Sequence, residues 1–549
     1  MRQYPVGAEI VPQGGVHFRV WAPATKRVAV ELGGDGVGGS ITELTAEPGG
    51  YFLGIVAEAA AGMRYRLRAD GGAFPDPASR FQPEGPHGPS EIVSPHFTWT
   101  DGEWRGRANE DLVVYELHLG TFTPEGTWRA AMEKLPALVE LGVTALELMP
   151  LSDFPGQFGW GYDGVNHFAP CRLYGRPEEA KAFINRAHAL GLAVILDVVY
   201  NHFGPDGNYL GQFSQDFISR KYSNEWGDAL NFDGKNAAGV REFFTANAAY
   251  WIGEYHMDGL RLDATQQIYD ESETHILAEV VTAARNAAPH RHVHIVAENE
   301  TQQARLVRPR RSGGCGMDSI WNDDFHHSAV VAATGRAEAY FSDYRGTPQE
   351  FVSALKYGFL YQGQWYEWQQ KRRGEPAWDL KPAHFTIFLE NHDQVSNFLP
   401  GERLHQLTSP ARYRALTALL LLAPCTPLLF QGQEFASSAP FVFFADHNPE
   451  LAKLVREGRQ KFLMQFRSVA SESLAGHYLD PGSWDTFDRC KLDWSERERN
   501  ERVVRLHTDL LRLRRESHAL RRPERFDGSS FGGFTVTGVQ NFEVAVLTE

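Results

Sequence analysis

The sequence is poor in cysteine and contains no apolar run long enough to cross a membrane. Its 549 residues include only four cysteines, and these stand far apart, without the C-x-x-C spacing of zinc sites and redox pairs. The longest apolar stretch, residues 415–430, is interrupted by Pro424 and Pro427 and is shorter than the roughly 20 residues of a membrane helix. The N-terminus has no apolar signal-peptide core. These absences predict a protein of the reducing cytoplasm with no membrane contact.

Positive charge is also scarce. The chain has 54 Lys and Arg against 69 Asp and Glu, a formal charge of −15, whereas nucleic-acid-binding proteins present basic faces. We therefore expect no nucleic-acid partner. The phosphate-binding loops GxGxxG and GxxxxGK[ST] do not follow the first predicted strand of the main domain, which argues against the usual nucleotide-binding folds. The 42% hydrophobic and 12% aromatic content suffices for large cores, and the length predicts about two to four domains.

Short alternating strands dominate the first hundred residues. Runs of alternating apolar and polar residues lie between residues 16 and 70 and are separated by glycine-rich turns, which is typical of an antiparallel β-sandwich. A proline-rich stretch at 74–89 follows. We place the N-terminal domain at 1–105.

From about residue 110 the sequence changes to apolar strands that alternate with amphipathic helices. Eight such units within 106–499 fit a closed parallel (β/α)8 barrel with insertions better than an open doubly wound sheet. Residues 500–549 predict a helix followed by the start of a short C-terminal β region. The eight predicted barrel strands begin near Val113, Thr144, Ala193, His256, His292, Ser319, Phe385 and Thr426.

Charged side chains follow four of the predicted barrel strands. In such a barrel the C-terminal ends of the strands meet at one mouth, so polar residues there are catalytic candidates. The residues predicted to converge are Asp197, Asn201, His202, Arg261, Asp263, Glu298, His392 and Asp393.

The spacing of these residues predicts carboxyl groups with different roles. Arg261 and Asp263 are two apart on a strand, so they share a face, and the guanidinium holds the Asp263 carboxylate ionised as a nucleophile. Glu298 ends the neighbouring strand, where an aromatic cleft raises its pKa enough for it to donate a proton. With Asp393 as a third carboxylate, the set suits a sugar acetal that reacts through an oxocarbenium-like transition state. Asp197 is predicted to hydrogen-bond Arg261 structurally.

Four segments, in order, resemble the characteristic segments of the alpha-amylase family of retaining glycoside hydrolases. They are DVVYNH at 197–202, DGLRLDA at 258–264, AEN at 297–299 and ENHDQ at 390–394. The resemblance implies a (β/α)8 barrel enzyme that acts on α-glucosidic bonds.

The same resemblance implies individual roles. Asp263 would be the nucleophile, Glu298 the acid/base and Asp393 the stabiliser of the transition state. The sugar subsite at the scissile bond would be lined by Tyr162, His202, Arg261 and His392.

Within this family, the sandwich and the strings around WNDDFHH and GERLHQ are similar to members that cleave the α-1,4 bond next to the terminal trehalose of a maltooligosyl chain. The implied substrate is a maltooligosaccharide ending in trehalose, and the implied pathway partner is a maltooligosyltrehalose synthase. Trp226, in an insertion after the third barrel strand, is a further candidate for holding the trehalose end. By the same resemblance the predicted binding set extends to Asp323, His326, His327, Gln394 and Asn397.

No cofactor or metal is predicted. Asn201 lies where some relatives bind calcium, but the sequence identifies no accompanying carboxylate ligands. His326 and His327 are taken as neighbours on a strand, where adjacent side chains point to opposite faces and cannot easily share a metal. Because the family usually ends in a fuller C-terminal domain, we expect the C-terminal β region to be truncated.

Three other functions stay open on the sequence alone. A glycogen branching or debranching enzyme shares the sandwich and the four segments. A catalytically silent glucan-binding protein and a metal-dependent barrel hydrolase are the other two, although none of the three carboxylates is missing.

Overall fold

The structure is a computed structural model that describes residues 2–33, 39–471, 478–517, 520, 534–537 and 543–546. Within these ranges no helix is both long and apolar enough to cross a bilayer.

The N-terminal part consists of two antiparallel sheets. One has the strand order β1-β2-β6-β5 and the other β4-β3-β7-β8, with β9 paired to β7. Val16, Phe18 and Val20 alternate along β2 and are buried between the sheets with residues such as Val30 and Leu67, because successive strand residues face opposite sides. The sandwich predicted here is confirmed. Its strands are β1 Gly7–Ile10, β2 Val16–Trp21, β3 Ala29–Leu32, β4 Ile41–Glu43, β5 Thr45–Glu47, β6 Tyr51–Val56, β7 Arg64–Ala69, β8 Gly72–Phe74 and β9 Ser90–Glu91.

The central part is a closed barrel of eight parallel strands, in the order β10-β11-β14-β15-β16-β17-β20-β21, with β10 paired to β21. These are the eight strands that the sequence predicts. Their residues are buried on both faces, as parallel strands covered by helices require. The strands of this part and the C-terminal part are β10 Val114–Leu117, β11 Ala145–Leu148, β12 Ser152–Asp153, β13 Asn166–Pro170, β14 Ala193–Val198, β15 Gly259–Leu262, β16 His294–Ala297, β17 Ser319–Trp321, β18 Trp365–Tyr366, β19 Lys371–Arg372, β20 Phe385–Phe388, β21 Thr426–Phe430, β22 Phe534–Thr537 and β23 Glu543–Val546.

Helices cover the outside of the barrel and form its connections. The apolar stretch 415–430 forms the end of one buried helix and then strand β21, as expected from its two prolines. The helices are α1 Leu119–Phe122, α2 Trp128–Leu141, α3 Pro177–Ala189, α4 Ala237–Gly253, α5 Ile276–Ala287, α6 Asp323–Thr334, α7 Pro348–Lys356, α8 His392–Ser396, α9 Leu404–Leu407, α10 Pro410–Leu422, α11 Pro449–Leu463, α12 Arg467–Ser471, α13 Trp484–Arg489, α14 Glu496–Arg499 and α15 Glu501–Glu516.

Helix α15 packs on the barrel. Its buried residues Val504 and Leu511 join the main apolar cluster of the barrel, and the buried Arg514 lies against the end of α10. Beyond it, β22 and β23 pair antiparallel to each other, and the rest of the predicted C-terminal β region lies outside the described residues. The domain limits 1–105, 106–499 and 500–549 stay predictions.

Candidate active site

The candidate residues lie at the C-terminal ends of the barrel strands. Arg261 lies in β15, and Asp263 follows that strand directly. Glu298 follows β16, and Asp393 lies in the short helix α8 after β20. Parallel pairing places Asp197 of β14 opposite Arg261. Barrel closure therefore brings these side chains to one mouth.

Arg261 is the centre of the site and is fully buried. Its Nη1 atom donates hydrogen bonds to Asp197 Oδ2 at 2.7 Å and to Asp263 Oδ1 at 2.8 Å. Its Nη2 atom lies 3.9 Å from Glu298 Oε2. The guanidinium carbon is 4.3 Å from the centre of the Trp321 ring, a cation–π contact. One cation thus hydrogen-bonds two carboxyl groups and lies near a third, and the predicted contact between Asp197 and Arg261 is confirmed.

Both carboxylate oxygens of Asp263 are held. Arg261 binds Oδ1, while the Asn201 side-chain amide donates to Oδ2 at 2.7 Å and to the Asp263 carbonyl at 3.0 Å. Hydrogen bonds to both oxygens fix the direction in which the carboxylate points. Asn201, which the sequence associates with a calcium position in relatives, here orients Asp263.

Glu298 has a different environment. Its side chain is 18% exposed, and its Oε2 atom accepts a hydrogen bond from the backbone N–H of Ala264 at 2.5 Å. Burial raises the pKa of Glu298 to about 8, since the opposing charge of Arg261 is offset by Asp263 and other nearby carboxylates. Glu298 is therefore protonated at neutral pH. Asp263, by contrast, accepts side-chain hydrogen bonds from Arg261 and Asn201.

Asp393 is the most open of the three predicted catalytic carboxylates, with 56% of its side chain exposed. Partial burial raises the pKa of Asp393. The nearby positive charge of His392, whose Nε2 atom is 3.4 Å from Asp393 Oδ2, lowers this pKa by a larger amount, so it lies below its usual value. Asp393 therefore supplies a negative charge at the mouth of the barrel.

Tyr162 connects His392 to the Arg261 cluster. Its hydroxyl donates to Asp197 Oδ2 at 2.6 Å and lies 2.8 Å from His392 Nε2. The rings of Tyr162 and His392 stack with centroids 5.2 Å apart. His202, also buried at this mouth, contacts the Asn201 side-chain oxygen through Nδ1, and burial lowers its pKa.

Asp323, the first residue of α6, lies near a second buried arginine. Arg373 is 3.7 Å from Asp323 and also pairs with Glu300 at 2.9 Å. Burial raises the pKa of Asp323 to about 7 although Arg373 lowers it. Arg373 and Glu300 carried no distinguishing sequence signal.

Gln394 and Asn397 meet at the hydroxyl of Tyr340. That hydroxyl donates to Gln394 Oε1 at 2.9 Å and accepts from Asn397 Nδ2 at 2.8 Å. Arg459 donates to Asn397 Oδ1 at 2.9 Å. These amides are therefore positioned by contacts within the protein.

Trp226 lies in the insertion after β14 and is 64% exposed. Its backbone N–H donates to Asn224 Oδ1 at 3.0 Å, and Asn224 Nδ2 donates to the Asn201 carbonyl at 2.9 Å. The backbone of this exposed tryptophan is thus linked, through two hydrogen bonds, to the residue that orients Asp263.

The strand predicted through His326 and His327 is wrong. Strand β17 ends at Trp321, and Asn322 begins α6 by accepting a hydrogen bond from the Phe325 N–H at 3.3 Å. An N-cap of this kind stops a strand and starts a helix. The two histidines are therefore consecutive helix residues with Nδ1 atoms 3.0 Å apart, buried among aromatic rings.

The histidine pair gains no third ligand. Burial lowers the pKa of His326 to about 3, and within the described ranges no group of three or more His, Cys, Asp or Glu side chains has metal-binding geometry.

The sequence reasoning missed Glu116 in the first barrel strand. Its carboxylate contacts the backbone and the ring of His392. A charged residue inside the otherwise apolar strand VYEL was the signal that was available.

Comparison with known proteins agrees with this geometry. The model of the alpha amylase catalytic domain matches residues 92–228. A malto-oligosyltrehalose trehalohydrolase of Deinococcus radiodurans is 43% identical over 551 residues, which cover 97% of this chain and 88% of that relative. The chain belongs to the malto-oligosyltrehalose trehalohydrolase family. As a member of this family it is a glycoside hydrolase of the alpha-amylase type, and the predicted family and (β/α)8 barrel are confirmed.

Two further comparisons place the trehalohydrolase family relative to its neighbours. The crystal structure of a Salmonella typhimurium protein provisionally assigned as an alpha amylase superimposes with a TM-score of 0.88 and 39% identity, covering 97% of this chain and 90% of that one. A 1,4-alpha-glucan branching enzyme of Leifsonia xyli is 29% identical over 473 residues, covering 78% of this chain but 61% of that enzyme. The match to the branching enzyme is therefore the weaker one.

Proposed function

We propose that the protein hydrolyses the α-1,4-glucosidic bond next to the terminal trehalose of a maltooligosyltrehalose, with retention of configuration, and releases trehalose and a maltooligosaccharide. The observation that carries this proposal is the pair of carboxyl groups on Arg261. Asp263 is held as a two-sided hydrogen-bond acceptor, while burial keeps Glu298 protonated. The name of the Deinococcus radiodurans relative supports trehalose as the leaving group.

In the first step Glu298 gives its proton to the glycosidic oxygen while Asp263 attacks the anomeric carbon. The bond to trehalose breaks, trehalose leaves with the Glu298 proton, and a glycosyl ester forms on Asp263. Asn201 and Arg261 fix the direction of the attacking carboxylate. Asp393 stabilises the positive charge that develops on the sugar ring.

In the second step Glu298, now ionised, takes a proton from water. The water oxygen attacks the anomeric carbon, the ester bond to Asp263 breaks, and Glu298 is again protonated. Two inversions at one carbon give net retention.

The remaining predicted residues have different proposed roles in the cleft. Tyr162, His202, Arg261 and His392 form the floor where the scissile sugar binds, and Trp226 offers an exposed ring for the trehalose end. His326 and His327 are buried and act as support for the wall of the cleft. Further polar groups come from Asp323, Gln394 and Asn397, of which Asn397 is buried.

The chemistry of the substrate and of the cysteines supports a proposed pathway partner and a proposed compartment. The substrate requires an enzyme that produces a maltooligosyl chain ending in trehalose, and a maltooligosyltrehalose synthase is the proposed pathway partner. Four buried, unpaired cysteines support a reducing cytoplasm as the compartment.

The test is product analysis with maltotriosyltrehalose, beside parallel incubations with maltopentaose and amylose. We expect trehalose and maltotriose from the first and little product from the others, with the α-anomer of maltotriose appearing first by proton NMR. Asp263→Asn should lower kcat by at least about 10³-fold. Cleavage or chain transfer only in the glucan incubations would contradict the trehalose specificity, and an active Asp263→Asn enzyme would contradict the nucleophile.

A further inference from the structure

Glu116 is a buried carboxylate that lies inside the barrel and binds a single partner with both oxygens. It is 1% exposed. Its Oε1 atom is 2.5 Å from His392 Nδ1, and its Oε2 atom accepts the backbone N–H of His392 at 3.1 Å. Glu116 comes from β10, and His392 is the first residue of helix α8 after β20, so the contact joins two parts of the barrel that are separated by strand β21. The carboxylate therefore sets both the position and the orientation of the His392 ring.

The hydrogen bonds around His392 determine how many protons its ring carries. Nδ1 faces a carboxylate, so Nδ1 bears a hydrogen. Nε2 is 2.8 Å from the Tyr162 hydroxyl, whose only proton goes to Asp197 Oδ2 at 2.6 Å. Tyr162 must therefore accept from Nε2–H. A ring that donates from both nitrogens is an imidazolium.

The other charged groups around His392 are compatible with this cation. Burial lowers the pKa of His392, but Asp393 and Glu116 raise it well above its usual value. Burial raises the pKa of Glu147, opposite Glu116 on β11, well above its usual range. Burial lowers the pKa of His118 to about 3, so His118 is neutral.

The positive charge of Arg261 is matched by Asp197 and Asp263. The titratable groups facing His392 are thus Glu116, His118, Glu147, Tyr162, Asp197, Arg261 and Asp393.

We propose that Glu116 is a positioning residue that holds His392 as a doubly protonated imidazolium beneath the scissile sugar. The imidazolium orients Tyr162 through one hydrogen bond and lies 3.4 Å from Asp393. Glu116 thereby orients two groups that contact the sugar, Tyr162 and Asp393. Glu116 itself does not touch the sugar. This inference rests on the proposed function only for the role of the floor residues.

The test is the pH dependence of kcat/KM for α-maltosyl fluoride. Fluoride leaves without a proton from Glu298, so the titration of Glu298 is removed from this parameter. The natural enzyme, in which Asp323 also titrates with a pKa of about 7, provides the reference profile. In Glu116→Gln the ring loses its ionic partner, and the amide offers one acceptor oxygen where the carboxylate offers two. We expect kcat/KM to fall about 10- to 100-fold and to decline with rising pH as His392 loses its proton.

Two further variants make the result specific. Glu147→Gln replaces a buried acid at the same level of the barrel, one that has no contact with His392 through both oxygens, with an amide of the same shape, and should keep the natural activity and profile. Glu116→Asp keeps the charge at a longer distance, so its alkaline decline should lie between those of Glu116→Gln and the natural enzyme. If Glu116→Gln does not fold, the position of this decline in Glu116→Asp decides.

A uniform rate loss with an unchanged profile in Glu116→Gln, or a Glu116→Asp profile that coincides with that of the natural enzyme, overturns the proposal. Failure of the proposed function is distinguishable, because it would appear as absence of trehalose release by the natural enzyme from maltotriosyltrehalose.

Discussion

At the scale of single residues, the chemistry depends on how Arg261 is shared. Asp263 receives the guanidinium directly at 2.8 Å, whereas Glu298 lies 3.9 Å from it. Coulomb energy falls with distance and burial disfavours charge. The guanidinium therefore fixes the direction of the nearer carboxyl group, whereas burial dominates at the farther one and raises its pKa.

The raised pKa of Glu298 predicts an alkaline limit to catalysis. The general acid must be protonated in the free enzyme, so kcat/KM for maltotriosyltrehalose should decline as pH rises through about 8. Glu298→Gln cannot transfer the proton and should lower kcat/KM by about 10²- to 10⁴-fold.

The control for this prediction is α-maltosyl fluoride, whose cleavage needs no proton. Glu298→Gln should retain much of its kcat/KM for the fluoride. An equal loss on both substrates would show that Glu298 is not the acid.

At the scale of elements, a single side chain joins helix α15 to the end of helix α10. Arg514 of α15 donates to the carbonyls of Leu421, Ala423 and Cys425. The last carbonyls of a helix have no partner within the helix, and here they are buried where water cannot reach them. Arg514 is the capping group for α10.

Removing this cap should destabilise the fold. Arg514→Met leaves the carbonyls buried and unpaired, so we expect the free energy of unfolding in urea to fall by about 3 kcal/mol. The matched control is Arg515→Met. Arg515 has a 66% exposed side chain, and its replacement should change the free energy by less than about 0.5 kcal/mol. Equal effects of the two substitutions would contradict the capping role.

Prediction from sequence succeeded for elements whose whole length shows a single hydrophobic pattern. It failed where a helix N-cap ended a strand earlier than the pattern indicated. The apolar run of β17 predicts a strand, and the strand is present. The continuation through His326 and His327 is helical because Asn322 and the fold around it satisfy the first turn of α6. The sequence of this segment is compatible with either a strand or a helix. The packing around Asn322 decides in favour of the helix.

At the scale of the whole molecule, the segment between sandwich and barrel is fastened by a buried charge cluster. Asp101 of this segment accepts hydrogen bonds from His188 and His256, both at 2.8 Å, and His188 also donates to Asp258 at 2.8 Å. Burial lowers the pKa of His188, but the two aspartates raise it above its usual value overall. His188 is therefore a buried imidazolium between two carboxylates.

The stability supplied by His188 should depend on pH. Because its pKa is higher in the folded state, its contribution is complete below about pH 6.5 and is lost as pH rises through the folded pKa. Asp101 has a lowered pKa, so its contribution is lost only as pH falls below about 4. His188→Gln should therefore lower the free energy of unfolding by about 3 kcal/mol at pH 6 and by less at pH 9.

Urea unfolding at both pH values checks this prediction, with His290→Gln, a change at an exposed histidine, as control. A deficit in His188→Gln that is the same at pH 6 and pH 9 would show that His188 is a neutral packing residue.

The sequence by itself determined the eight barrel strands, the N-terminal sandwich and the candidate carboxylates Asp263, Glu298 and Asp393. It did so because apolar runs of fixed period, ended by polar residues, are local patterns. Only the tertiary structure showed the contacts that lie outside this predicted set. Glu116 reaches His392 across 276 positions of the chain, and Asp101 reaches His188 across 87. Such contacts exist because the barrel closes in one register, and register and closure are properties of the packed chain that no short segment encodes.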